Sequence, residues 1–168
     1  MRDCYWPIRA VLLSLILLGI FPSGVVNAQS DSVKPQMVDL WSPGDSGQRM
    51  RIRGRVTSLD GTPIPNVVIG IRHADSEGND WSYHQGAVTA NEKGVYQFGS
   101  VIPGNSHRLS HVHVTVSHEG FQYLDTEFYF KHDPKAEENH PNAIFLEEGS
   151  VDGETLMFGR YNIMLVPH

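Results

Sequence analysis

Apolar and polar positions alternate along most of the chain, in short runs that read as strands. Met50, Ile52, Gly54 and Val56 interleave with Arg51, Arg53 and Arg55, which predicts a half-buried strand over residues 50–58. Val67, Val68, Ile69 and Ile71 predict a second strand, apolar enough to lie inside a sheet. Residues 95–98 predict a short third strand. Residues 108–116 predict a fourth, with Val112, Val114 and Val116 on one face and His111, His113 and Thr115 on the other. Leu124, Thr126, Phe128 and Phe130 alternate with Asp125, Glu127 and Tyr129 in a fifth. Residues 159–166 close the series, with Tyr161, Ile163 and Leu165 on one face. Turn residues separate these runs at 59–63, 91–94, 102–105 and 118–120. From His73 to Ala87 the period is lost, and polar, aromatic and glycine residues mix as they do in long functional loops. Asp133-Pro134 predicts the cap of at most one short helix, closed by Pro141. The pattern predicts an all-β fold, an antiparallel β-sandwich.

The first residues follow a different logic. Arg2 and Arg9 flank the start, residues 10–20 are almost wholly apolar, and Val26-Asn27-Ala28 forms a small-residue cleavage site before Gln29. Residues 1–28 therefore read as a secretory signal peptide, and the apolar run is too short to span a bilayer. The expectation is an exported chain, periplasmic or extracellular, with no integral membrane span after cleavage. Residues 29–48 read as an extended leading segment that Trp41 tucks onto the body, and residues 49–168 as the sandwich domain. The one cysteine, Cys4, leaves with the signal, so no disulfide is expected.

The net charge of -6 comes without a basic stripe, which argues against a nucleic-acid partner. All nine histidines follow residue 28, and five of them fall between His73 and His113. A histidine-rich centre without cysteine suits a metal bound through nitrogen and oxygen. His111 and His113 project in parallel from one strand, roughly 7 Å apart between Cα atoms. That spacing fits two readings: two solvent-facing residues of an edge strand, or two donors closing on one cation. No glycine-rich phosphate loop, nucleophile elbow or His-Glu-x-x-His helix is present.

Gly54-Arg55-Val56, residues 60–66 and residues 73–78 resemble the start of the intradiol ring-cleavage dioxygenases, the catechol, hydroxyquinol and protocatechuate enzymes. The likeness continues through residues 94–98 and 102–104. It is most specific at residues 108–113 and 126–134, and it closes near residues 161–165. The resemblance implies a prealbumin-like β-sandwich holding non-haem ferric iron on two histidines and two tyrosines. It implies an aromatic diol and dioxygen as reactants. His111 and His113 match the histidine ligands, and Arg108 matches the arginine that faces negative charge developing on the ring.

The tyrosine positions differ. Asp80 stands at the first, with Tyr83 three residues later, and Tyr83 is the expected ligand. If Asp80 binds instead, two histidines and a carboxylate favour ferrous iron. Ser106 stands at the second, followed by His107, so His107 or His84 is expected as the base for the second hydroxyl. Glu127 stands where the family usually has glutamine. The helical dimerisation segment of many cytoplasmic members is missing, and a homodimer stays open. The expected function is exported ring cleavage of a catechol-like aromatic between its two hydroxyls. The alternative is a metal-binding sandwich that has lost ring cleavage and serves as a binding module.

Overall fold

A computed structural model describes residues 35–79, 84–105, 108–131, 133 and 140–168. Eleven strands carry the described chain: β1 (Met37–Asp39), β2 (Arg49–Ser58), β3 (Val68–Arg72), β4 (Gln85–Thr89), β5 (Val95–Val101), β6 (His111–Ser117), β7 (Leu124–Phe130), β8 (Ala143–Ile144), β9 (Leu146–Val151), β10 (Glu154–Arg160) and β11 (Ile163–Leu165). They form two sheets, one ordered β1-β5-β2-β10-β9 with β11 also on β2, the other β4-β3-β6-β7-β8. The all-β sandwich expected from the alternation is what forms. Most pairs are antiparallel, and β1–β5, β2–β10, β2–β11 and β7–β8 are parallel. Among the described residues no helix is long and apolar enough to cross a membrane. The short helix expected after Asp133 falls on residues 134–139, outside the described residues.

The core lies between the sheets, where the inward half of each alternating strand meets. Ile52 and Val56 of β2 face Val112, Val114 and Val116 of β6 and Phe128 and Phe130 of β7, all essentially inaccessible to water. Each such side chain contributes about 1.5–3 kcal/mol when fully buried. Phe128 and Phe130 meet edge to face, 5.6 Å between ring centres.

Several elements differ from the sequence reading. The irregular stretch ends at His84, because β4 pairs along the whole of β3 from Gln85↔Arg72 to Thr89↔Val68. β1 forms inside the leading segment and adds to β5, and Arg49 stacks over the Trp41 ring at 4.1 Å. β9 and β10 form a hairpin around Asp152-Gly153, both at positive φ, as a tight two-residue turn requires. The closing strand is two strands: β10 runs beside the first half of β2, the chain steps at Tyr161-Asn162, and β11 runs beside the second half.

Gly54 makes that step possible. Its missing side chain leaves the space that the Tyr161 carbonyl occupies, and the buried Tyr96 hydroxyl donates to that carbonyl at 2.7 Å. Asn162 Oδ1 accepts from the Arg55 backbone N–H at 3.1 Å, replacing the ladder bond lost at the step.

Candidate metal centre

β6 presents its valines to the core and its histidines to the opposite face, where both rings are half-buried. The antiparallel register sets Glu127 of β7 opposite His113, and Tyr129 opposite His111. Four chemistry-bearing side chains thus share one sheet face. Two loops fix the start of β6. The buried Asp133 carboxylate accepts from the Ser110 backbone N–H at 2.8 Å and from Asn105 Nδ2 at 3.0 Å. Asp75 folds its own loop by accepting from the Glu77 and Asn79 backbone N–H groups at 2.9 and 2.8 Å. Gly104 packs onto that loop, donating its N–H to the Asp75 carbonyl at 2.8 Å.

His111 Nδ1 lies 2.6 Å from the Leu109 carbonyl, so it carries the proton and donates. Its Nε2 is left with a lone pair, 3.1 Å from Nε2 of His113. Two nitrogens meet at that distance only around a shared proton or a shared cation. Glu127 Oε2 lies 3.8 Å from His111 Nε2, 3.7 Å from His113 Nδ1 and 3.4 Å from Arg108. One donor atom from each of His111, His113 and Glu127 lies within 4.8 Å of the others. The Tyr129 hydroxyl donates to Glu127 Oε1.

The electrostatics follow from this crowding. Burial, then the neighbouring His111, holds the His113 pKa down and keeps the ring neutral, the form that binds metal. Burial alone would raise the Glu127 pKa. The hydrogen bond from Tyr129 and the charge of Arg108 outweigh that and hold it below the usual range. Burial and the bond to Glu127 push Tyr129 up to about 12. Alongside runs an open groove of about 890 Å³, with His113, Glu127, Thr115 and Arg72 on its walls. Gly70 is part of its lining, and the Thr115 hydroxyl fills the space a Gly70 side chain would take.

Of the residues singled out in the sequence, the structure brings Arg108, His111 and His113 together. Tyr83, Asp80, Ser106 and His107 lie outside the described residues. His84 is buried, 3.0 Å from Asp45 Oδ2 through Nε2, and its ring stacks on His73 at 4.9 Å. Tyr129 carries no site signal in the sequence, because strand register alone brings it beside His111.

His73 accepts from Ser100 at 2.7 Å and donates to the Ala74 carbonyl at 2.6 Å. Burial pushes its pKa down to about 4, so the ring stays neutral in the fold. An unfolded histidine titrates near 6.5, so the unfolded chain takes up this proton first as pH falls. Stability is therefore lost between pH 6.5 and 4, by about 3 kcal/mol for this group. Melting temperatures measured across that range should fall in wild type, and His73→Gln should flatten the slope. An equal slope in the variant would refute the assignment.

A family model described as Dioxygenase matches residues 19–145. Chlorocatechol 1,2-dioxygenase of Rhodococcus opacus is 27% identical over 156 residues, covering 72% of this chain and 61% of its own length. Catechol 1,2-dioxygenase 2 of Acinetobacter lwoffii is 30% identical over 118 residues, covering 54% and 42%. The crystal structure of 3-chlorocatechol 1,2-dioxygenase from Rhodococcus opacus superposes with a TM-score of 0.69 at 19% identity, covering 78% of this chain and 65% of that one. The dioxygenase domain of a carbohydrate-binding fusion from Streptomyces sp. SirexAA-E gives 0.65 at 20% identity, covering 80% and 89%.

The sandwich is the fold of these dioxygenase structures. The chain belongs to the intradiol ring-cleavage dioxygenase family, as the sequence resemblance implied. It spans less than two thirds of the length of the curated relatives it matches. Members of this family use non-haem iron, and the two imidazole nitrogens 3.1 Å apart, beside the Glu127 carboxylate, fit such an ion.

Proposed function

We propose that the protein is an exported intradiol dioxygenase acting on a catechol-like aromatic diol. The observation that carries this reading is the pair of imidazole nitrogens 3.1 Å apart, on the strand whose Arg-x-x-His-x-His block matches the family. Iron held by His111 and His113, ferric if Tyr83 binds and ferrous if Asp80 does, would supply a Lewis acid. Dioxygen then adds both its atoms across the bond between the two hydroxyl-bearing carbons. That bond breaks, the product is a ring-opened dicarboxylic acid, and no external reductant is consumed.

The chain's own residues divide the remaining work. Arg108, 65% exposed and anchored on Glu127 at 3.4 Å, offers a fixed positive charge to the ring as negative charge develops. His107 takes the second hydroxyl proton. The groove along Thr115 and Gly70 gives a flat ring a route to His113. Export rests on the charged, apolar and small-residue pattern of residues 1–28.

The test is oxygen uptake by iron-loaded protein from the exported fraction, with catechol, chlorocatechol and hydroxyquinol. One mole of dioxygen per mole of ring-opened acid is expected from at least one diol, on a chain beginning at Gln29. No uptake with any of the three overturns the reading. The comparisons do not favour the alternative of a binding module without turnover.

A further inference from the structure

We propose that Glu127 is the third protein ligand of the metal held by His111 and His113, with Tyr129 as the residue that positions it. The inference rests on the reading of this site as an iron centre and names a donor that the reading does not contain.

The family's iron is held by two anionic phenolates, and Ser106 cannot supply the second. The same sheet face offers another anion. Metal–nitrogen and metal–oxygen bonds of about 2.1 Å put adjacent donors roughly 3 Å apart and opposite ones roughly 4 Å apart. The 3.1 Å between the imidazole Nε2 atoms and the 3.8 Å from His111 Nε2 to Glu127 Oε2 fall in that span; His113 meets the same oxygen at 3.7 Å through Nδ1, and one donor from each residue lies within 4.8 Å of the others. Two histidines and one carboxylate on one side of an ion leave the remaining positions for a loop donor and for substrate.

Tyr129 makes the carboxylate usable. Its hydroxyl binds Oε1, which turns Oε2 toward the imidazoles. The His140 ring packs on Tyr129 at 4.2 Å, and Asn142 Nδ2 donates to the Glu127 carbonyl at 3.1 Å. Ligating carboxylates held by an outer hydrogen bond in this way keep their orientation. Glutamine, usual for the family here, could accept the same bond from Tyr129 but would bring no charge. The competing account is that Glu127 exists only to pair with Arg108, 3.4 Å away.

Calorimetric titration of metal-free protein separates the two, using ferrous iron without oxygen and, independently, zinc. Glu127→Gln should weaken both metals by about 100-fold or more, and Tyr129→Phe by about 10-fold. Arg108→Gln should leave both affinities within about threefold of wild type. Melting curves without metal check that each variant folds, and Glu127→Asp, keeping the charge with a shorter reach, should fall between wild type and Glu127→Gln. Metal affinity in Glu127→Gln within about threefold of wild type overturns the proposal. Oxygen uptake is read separately. Uptake by wild type with unchanged metal affinity in Glu127→Gln sinks the ligand assignment and leaves ring cleavage standing. Weakened binding in Glu127→Gln with no uptake by wild type does the opposite.

Discussion

His113→Ala is expected to come off purification without iron and to show no measurable oxygen uptake with a diol. His113 and His111 are the two nitrogen donors of the cluster, their Nε2 atoms 3.1 Å apart. Removing one leaves a single imidazole beside the oxygen donors, so the ion should be held far more weakly. Changes in the shell outside a metal cost 10–100-fold in affinity, so loss of a donor should cost at least about 100-fold. The fold should survive. The His113 side chain is 29% exposed and stands on the outer face of β6, whose inner face is all valine. The melting temperature of metal-free protein should therefore stay within a few degrees of wild type. Iron content by elemental analysis, beside a melting curve, decides the matter. Full iron occupancy in the variant would remove His113 from the site.

Gly54→Ala should be the most damaging single-methyl change in the sandwich. A Cβ there overlaps the Tyr161 carbonyl oxygen and comes within 2.5 Å of Tyr96 Cε1. Ordinary overpacking costs about 1–3 kcal/mol because side chains can shift. Here the obstacle is backbone, held by the Tyr96 hydroxyl at 2.7 Å. Moving it breaks that bond and separates β11 from β2. The expected loss is about 4 kcal/mol or more, beyond the usual range for a point mutation. Denaturant midpoints would measure it, and a loss below about 1 kcal/mol would show that the step at Tyr161 is soft.

What the sequence revealed depended on how one-sided each strand is. β2, β6 and β7 bury one face and wet the other, so their alternation is written in the chain. β4 is not: Gln85-Gly86-Ala87 has no alternation, and the segment becomes a strand because β3 offers it a partner edge. The β9–β10 hairpin carries a readable signal in Asp152-Gly153. The step between β10 and β11 was invisible, because Tyr161, Ile163 and Leu165 keep the same period on both sides of it. The histidine pair was legible from its spacing. The place of Glu127 opposite His113 depends on the pairing of β6 with β7, which a linear pattern does not specify. The expected roles of Tyr83 and His107 fall on residues outside those described.

The division of one edge of β2 between β10 and β11 also governs how the chain assembles. Met50 pairs with Met157, a partner roughly a hundred residues downstream, and Val56 with Ile163. Long-range pairings of this kind are closed late and slow the whole reaction. Until those strands arrive, β2 is a border strand with bare amide groups along one side. Arg51, Arg53 and Arg55 charge its outer surface during that interval and discourage a second nascent chain from zipping onto it.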